Sequence, residues 1–289
     1  MHKSVLKKEV IEYLDPKTNE NFIDSTIGQA GHSLEVLKKN KPNGKVLGIE
    51  LDNEIYEGLI IRKIKRLVLI NDSFKNLKEI VKNNNFKPVS GILFDLGFLS
   101  WHIEDSGRGF SFKKNELLDM RYSTDLELTA QEIVNKWKEK EIEEILKKYG
   151  EERFSKRISN QIINQRRIKP IKTTFDLVEI IKRAVPSYYR YKRIHFATKT
   201  FQALRIAVND ELNNLKETLP QALEVLEKQG RIVVISFHSL EDRIVKNFFK
   251  KHSKEKLEIL TKKPITASKL EIINNPRSRS AKLRAAVKI

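Results

Sequence analysis

The sequence predicts an α/β fold in which a seven-stranded sheet, built from parallel βα units, is interrupted after its fourth strand by a helical insertion. Three observations predict it. Over the first hundred residues, short β-branched or apolar runs alternate with helically spaced segments, as successive βα units do. From about Arg108 to Phe196 that alternation stops and helical periodicity takes over. At RIVVISF (231–237) a strand pattern returns, and two more follow it.

Taken in order, strands one to four are NFIDSTI (21–27), KVLGIEL (45–51), RLVLIND (66–72) and GILFDLG (91–97). Segments such as HSLEVLKKN and EIYEGLIIRKIKR separate them, with apolar residues recurring at helical spacing. In the insertion, AQEIVNKWKEKEIEEILKKY, EERFSKRISNQIINQRR and TFDLVEIIKRAV read as helices. The first opens on Thr129-Ala130-Gln131-Glu132 and the third on Thr173-Thr174-Phe175-Asp176. Both have capping-box form, in which a hydroxyl and a carboxylate satisfy the first free backbone N–H groups. TFQALRIAVNDELNNLKETLPQALEVLEKQG is helical, with an interruption expected near Pro220, which lacks a backbone donor. KLEILTK (256–262) and KLRAAVKI (282–289) complete the seven strands. The domains are then a discontinuous sheet domain, 1–107 with 197–289, and a helical insertion, 108–196, of a usual domain size.

Composition narrows the function. The chain has 289 residues, 39% of them hydrophobic, enough for one substantial core and a smaller second unit. Lys and Arg number 56 against 38 Asp and Glu, a formal charge of +18, which favours an anionic partner such as nucleic acid or a membrane surface. The opening MHKSVLKKEVIEYLDP breaks its apolar positions with Lys and Glu, so it reads as neither a signal peptide nor a spanning helix. No later apolar run approaches the roughly 18 residues a membrane span needs, and a soluble, cytoplasmic protein is expected. The lack of cysteine excludes disulfides, thiolate metal sites and a cysteine nucleophile.

The chemistry centres on FIDSTIGQAGHS (22–33). A glycine-bearing turn between a strand and its helix lets backbone N–H groups approach a ligand at the helix N-terminus. Gly28-Gln29-Ala30-Gly31 lacks the third glycine of the dinucleotide fingerprint, and by itself is as compatible with a tight turn as with a ligand. Glu50, 22 positions after Gly28 at the end of the next strand, adds a carboxylate where ribose hydroxyls are held. Together they point to a nucleoside-bearing cofactor. Asp95 ends the fourth strand, beside the crevice where open α/β sheets bind ligands; an N-cap or Asx turn is its bland alternative. Phe74 sits at the same edge, in position to stack on a base or to pack in the core. In SFHSLEDR, Ser239-Leu240-Glu241-Asp242 fits a capping box, and His238 precedes it at the sheet edge as a weaker catalytic candidate. No second histidine or carboxylate is expected at metal-ligand spacing from His238, and no metal is called for.

The motifs themselves carry a resemblance. HKSVLKKEVIEYL, FIDSTIGQAGHS, GILFDLG, RGFSF, LLDMR, YGEERFSKRIS, TFQALRIAVNDEL, SFHSLEDRIVK and NPRSRSAKLR run across almost the whole chain and resemble the bacterial MraW or RsmH type of small-subunit ribosomal RNA (cytosine-N(4)-)-methyltransferases. The resemblance implies a Rossmann-like class I methyltransferase sheet with a helical insertion after strand four, and S-adenosyl-L-methionine as cofactor. It also implies N(4)-methylation of a decoding-site cytosine of 16S rRNA within the small ribosomal subunit. By position, it implies that Ala30, Gly31 and His32 wrap the cofactor and that Glu50 holds its ribose. Phe74 and Asp95 would line the adenosine side, and His102 would complete the pocket. Three departures stand out: Ala30-Gly31 replaces two adjacent glycines, Glu50 replaces an aspartate, and Asp95 to His102 reads DLGFLSWH where the family has DLGVSSPQ.

Direct methyl transfer to an exocyclic amine needs no metal but does need a hydrogen-bond acceptor beside the amine, and Asp95 is the first candidate. The target base must leave its stack to reach such a site. Basic residues interleaved with aromatics in Ser187-Tyr188-Tyr189-Arg190-Tyr191-Lys192-Arg193 make that segment the expected RNA contact, with Tyr189, Arg190 and Arg193 named for it. A homodimer is left open. A nicotinamide-dependent oxidoreductase would need the third glycine and no such charge. A non-catalytic RNA-binding or assembly factor that keeps the fold is the other reading.

Overall fold

The computed structural model describes residues 3–289, which divide into two compact units. One is formed by residues up to Phe98 together with Leu212–Ile289, the other by Leu99–Glu211. The expected boundaries were 108 and 196. The helical unit takes in α11 (Thr198–Asn209) because that helix packs along α7 (Glu139–Gly150), inside its core.

The sheet unit begins with α1 (Lys7–Leu14), followed by β1 (Phe22–Asp24), α2 (Gly31–Lys39), β2 (Val46–Glu50), α3 (Asn53–Ile61), β3 (Leu67–Asn71), α4 (Leu77–Asn83) and β4 (Gly91–Asp95). After the helical unit come α12 (Glu211–Val225), β5 (Arg231–Ser236), α13 (Ser239–His252), β6 (Leu257–Ile259), β7 (Ile265–Thr266), α14 (Lys269–Asn274) and β8 (Lys282–Lys288). The strand order is β3-β2-β1-β4-β5-β8-β6, with β7 also paired to β8. Strands β1 to β5 are parallel and β8 runs antiparallel to β5, β6 and β7. This is the expected Rossmann-like sheet with one strand more, the two-residue β7. Strand order reverses between β1 and β4, the switch point outside which such sheets bind ligands.

Side chains alternate across the sheet, so each face builds its own core. Ile92, Phe94, Ile232 and Val234 pack with Leu219, Leu223 and Phe249 on one face. Leu93, Val233 and Ile235 pack with Val10, Leu14, Leu283 and Ala285 on the other. Burial on both faces is why GILF and RIVVI read as unbroken apolar runs.

The helical unit contains α5 (Ser100–Glu104), α6 (Ala130–Lys136), α7, α8 (Ser155–Ile168), α9 (Thr174–Ala184), α10 (Ser187–Arg190) and α11. Its core joins Ile133, Ile142, Leu146, Ile158, Ile162, Leu177, Ile181 and Leu204, the periodic apolar positions of these helices. Both predicted capping boxes form: Thr129 Oγ1 accepts from the Glu132 N–H at 3.1 Å, and Thr173 Oγ1 accepts from the Asp176 N–H at 3.2 Å. Two helical stretches break where the periodicity gave no warning. The first is interrupted at the extended Trp137 and Lys138. The long one before β5 breaks at Asp210, in the left-handed region at φ 47°, while Pro220 lies inside α12 and does not end it. Aspartate tolerates that backbone better than most residues.

The turn after β1 has a local logic of its own. Ala30 sits in the left-handed region at φ 64° with its side chain buried, a conformation that costs a non-glycine residue about 1–2 kcal/mol and that the paired glycines of the resembling family would adopt without it. Gly31 opens α2, and a Cβ there would collide with the Ser4 hydroxyl. Its bareness therefore serves packing against the N-terminal segment. Gly31→Ala is expected to lower stability by about 1–3 kcal/mol, and adding Ser4→Ala to recover at least half of it; thermal unfolding of the two variants checks this, and no recovery in the double variant would mean Ser4 is not the obstacle.

Candidate functional site

Parallel strands deliver their carboxyl ends to one edge, and here three of them end on acids: Asp24 on β1, Glu50 on β2 and Asp95 on β4. Each is fastened differently. Glu50 Oε2 accepts from the Gly28 N–H at 3.0 Å and Oε1 from the Asp52 N–H at 2.9 Å, so one carboxylate ties the turn after β1 to the start of α3. Asp52 in turn caps α3 by accepting from the Glu54 N–H at 3.0 Å. Asp24, absent from the sequence-based candidates, is buried and accepts from Ser33 Oγ at 2.6 Å, which pins the first turn of α2 to β1. Its signal was an acid between two apolar residues and a hydroxyl at the end of a strand.

Asp95 is partly open, with its backbone N–H donating to Thr26 Oγ1 at 2.7 Å. Its Oδ2 lies 3.5 Å from Nε2 of the buried His32, beyond good hydrogen-bond length. Neither ring nitrogen of His32, nor Asp95 Oδ1, nor Ser25 Oγ has a hydrogen-bond partner among the described residues. Buried polar atoms are ordinarily satisfied, so this cluster is shaped for a polar ligand, and the residues fit a nucleoside-bearing cofactor. Burial pushes the Asp24 carboxyl up to about 6, against the lowering by Ser33, and the Glu50 carboxyl up to about 7, against its backbone hydrogen bonds.

The remaining candidates on the sheet unit are placed as follows. Phe74, in the turn after β3, is half-buried and meets Phe94 edge to face at 6.0 Å between ring centroids, so it serves the core as well as the edge. The cap of α13 is His238, one residue earlier than the expected Ser239 box: its Nδ1 accepts from the Glu241 N–H at 3.4 Å. Glu241 reaches back to the Phe237 N–H at 2.8 Å, and its Oε1 stands 3.2 Å from His238 Nε2. The expectation that no carboxylate stands close to His238 is thus corrected, because a third-position cap residue folds back over the helix start. His238 is held as a structural cap.

The helical unit holds the other candidates. The His102 ring is buried among Trp101, Phe110 and Tyr122, with centroids 5.0–5.3 Å away, and its Nδ1 accepts from the Leu99 N–H at 3.1 Å. Tyr189 and Arg190 turn inward. The Tyr189 hydroxyl donates to Glu152 at 3.1 Å, burial and that carboxylate push its phenol up to about 12, and its ring packs on Phe154. Arg190 donates to the Val185 carbonyl at 3.3 Å, closing the end of α9. The residues of this segment that face solvent are Tyr188, Tyr191, Lys192, Arg193 and Ile194. Of the three named for RNA, only Arg193 is among them.

The raised carboxyls set a pH dependence. Asp24 and Glu50 bind protons more tightly in the folded chain than at their ordinary values of 3.8 and 4.5. The folded state therefore holds more protons than the unfolded between about pH 4 and pH 7, and stability falls as pH rises through that window. The melting temperature of the protein alone is expected to drop from pH 5 to pH 8, and Glu50→Gln to lessen the drop. An equal drop in the variant would put Glu50 at its ordinary value.

A family model described as the MraW methylase family matches residues 1–289. The ribosomal RNA small subunit methyltransferase H of Halothermothrix orenii is 45% identical, over 100% of this chain and 98% of that protein. The protein of the same name from Sulfurihydrogenibium azorense is 48% identical, over 99% and 98% of the two chains. Among solved structures, an rRNA methylase from Streptococcus thermophilus aligns with a TM-score of 0.45 at 11% identity, covering 100% of this chain and 99% of that one. On the full-length family match and these relatives, the chain belongs to the MraW methylase family.

Proposed function

We propose that the protein methylates the exocyclic N(4) amine of a cytosine in 16S rRNA, at the decoding site of the small ribosomal subunit. The observation that carries the reading is the family match across every residue of the chain, with relatives of 45% and 48% identity named as small-subunit rRNA methyltransferases. S-adenosyl-L-methionine is the cofactor, and when bound it supplies an electrophilic sulfonium methyl group. Among the described residues no helix is long and apolar enough to cross a membrane, and the reading puts the protein in the cytoplasm with its rRNA.

The chain's own residues supply binding and placement. The turn from Gly28 to His32 offers its backbone beside the Glu50 carboxylate, whose remaining lone pairs accept from ribose hydroxyls. Ionised Glu50 is the better acceptor, so cofactor affinity weakens as pH falls below about 7. Phe74 offers a half-buried ring to the adenine. Asp95, with Oδ1 unpartnered, accepts from an amine, and holding that amine in line lowers the barrier by removing its orientational freedom.

Labelled methyl transfer to small subunits that lack their own modification, read by nucleoside mass spectrometry, tests the reaction. N(4)-methylcytidine is the expected product. Cofactor binding with no labelled nucleoside would favour the non-catalytic RNA-binding factor, for which the strained Ala30 and the altered 98–102 segment are the structural grounds.

For the helical unit the reading takes Tyr191, Lys192 and Arg193, which are exposed, as the RNA contact. Tyr191→Ala with Arg193→Ala is expected to weaken rRNA binding about tenfold or more, the worth of one stacked base, and to flatten its salt dependence. Arg190→Ala should lower the melting temperature instead. Binding titrations at several salt concentrations separate the two, and an unaltered salt slope in the double variant would remove this segment from the RNA surface.

A further inference from the structure

A groove lies at the far end of the sheet, between the second half of α13 and the edge strand β6. Its volume is about 580 Å³, within the range of ligand sites. Phe249, Leu257 and Ile259 form an apolar floor, and Lys246, Lys250, Lys262 and Arg284 bring four cations to its walls. Of the four cations, Arg284 is spent internally and the three lysines are not. Arg284 is fully engaged by Asp242, at 2.7 and 3.2 Å, and Lys282 shares the same carboxylate at 3.6 Å. Lys246, Lys250 and Lys262 are exposed and form no ion pair among the described residues. Glu258 is the one acidic side chain among the lining residues, which also include the terminal residue Ile289. Since β6 pairs only with β8, no further strand covers that side.

Helix α13 connects this groove to the candidate site. It starts at Ser239, beside the carboxyl edge of β5, and carries Arg243, Lys246 and Lys250 at i, i+3 and i+7 on one face. From Ser239 to Lys250 is eleven residues, about 16 Å at 1.5 Å per residue. A stacked strand covers that distance in about five nucleotides, at about 3.4 Å each.

We propose that the groove between α13 and β6 binds the phosphodiester backbone of the RNA strand flanking the target base. The strand leaves the sheet's carboxyl edge, follows the cationic face of α13 and seats its phosphates on Lys246, Lys250 and Lys262, with ribose and base edges over the apolar floor. The proposal builds on the rRNA reading above and adds an anchor on the sheet unit for substrate several nucleotides away from the reacting base. An open groove walled by lysines suits a chain passing through it, and the charge complements phosphate.

The test compares two triple variants with the same change in charge. Lys246→Glu, Lys250→Glu and Lys262→Glu alter the groove. Lys45→Glu, Lys65→Glu and Lys82→Glu alter exposed positions before β2, before β3 and in the last turn of α4, at the opposite edge of the sheet. Binding of protein-free small-subunit rRNA is titrated across salt. The groove triple should lose at least tenfold in affinity and about two units of salt slope, for three phosphate contacts at about 0.7 each. The control triple should lose less than half as much, and both should keep the wild-type melting temperature and S-adenosylmethionine affinity. Should the groove triple melt early, the Lys→Gln version of it is read instead, with the same ordering expected. Equal losses in the two triples would overturn the groove and leave the rRNA reading standing. A wild-type protein with no affinity for the rRNA would overturn both.

Discussion

Two backbone N–H groups converging on the Glu50 carboxylate hold the ligand-binding edge of the sheet together. One comes from Gly28, in the turn that leaves β1, and the other from Asp52, at the start of α3. Because β1 and β2 are neighbours in register, that carboxylate fixes the spacing of two loops that would otherwise be independent. The position of Ala30, and hence of the first turn of α2, follows from it. Asp24 supplies a second tie to the same turn through Ser33. A buried carboxylate is unfavourable without such donors, and the raised pKa values of both acids show that the donors present only partly offset the burial. The edge is thus held in an electrostatic state that further donors would relieve.

That arrangement explains the division of labour among the candidate residues. His32 and Asp95 keep unpartnered polar atoms at the edge and Glu50 uses both its oxygens on backbone N–H groups, whereas His238 uses Nδ1 on a helix cap and Phe74 has its ring against Phe94. In the helical unit, Tyr189 is held by Glu152 and Arg190 by the Val185 carbonyl, whereas Tyr191, Lys192 and Arg193 beside them are exposed. A strongly basic chain has many cations to spare, so the informative ones are those that converge on a shaped surface.

Features that depend on near neighbours in sequence were legible. The capping boxes at Thr129 and Thr173, the βα alternation and the apolar runs of β4 and β5 are written in residues three or four positions apart or in continuous strings. Features set by distant residues were not. The close neighbour that a Cβ at position 31 would meet is Ser4, 27 positions away, and the inward turn of Tyr189 is set by Glu152, 37 positions away. The helix break at Asp210 was hidden because an aspartate carries the left-handed backbone where a glycine would have announced it. Pro220 misled for the opposite reason: it is itself exposed, and Leu215 and Leu219 before it and Ala222 and Leu223 after it are packed in the sheet's core, so α12 runs on through a residue that weakens it. Glu50 was found through its spacing from Gly28 and His102 through motif resemblance, and their partners only through coordinates.

The place of β8 governs when the sheet can be finished. It lies between β5 and β6, and among the described residues it is the sole pairing partner of both β6 and β7. During synthesis, β5 emerges about fifty residues ahead of it, paired with β4 along one side and bare along the other. An unpaired edge flanked by Val233 and Ile235 is a template for contact with other chains. Rapid docking of β8 limits the time that edge stays open, and its Arg284, locked to Asp242 on α13, gives the late strand a specific charged latch in addition to its apolar face.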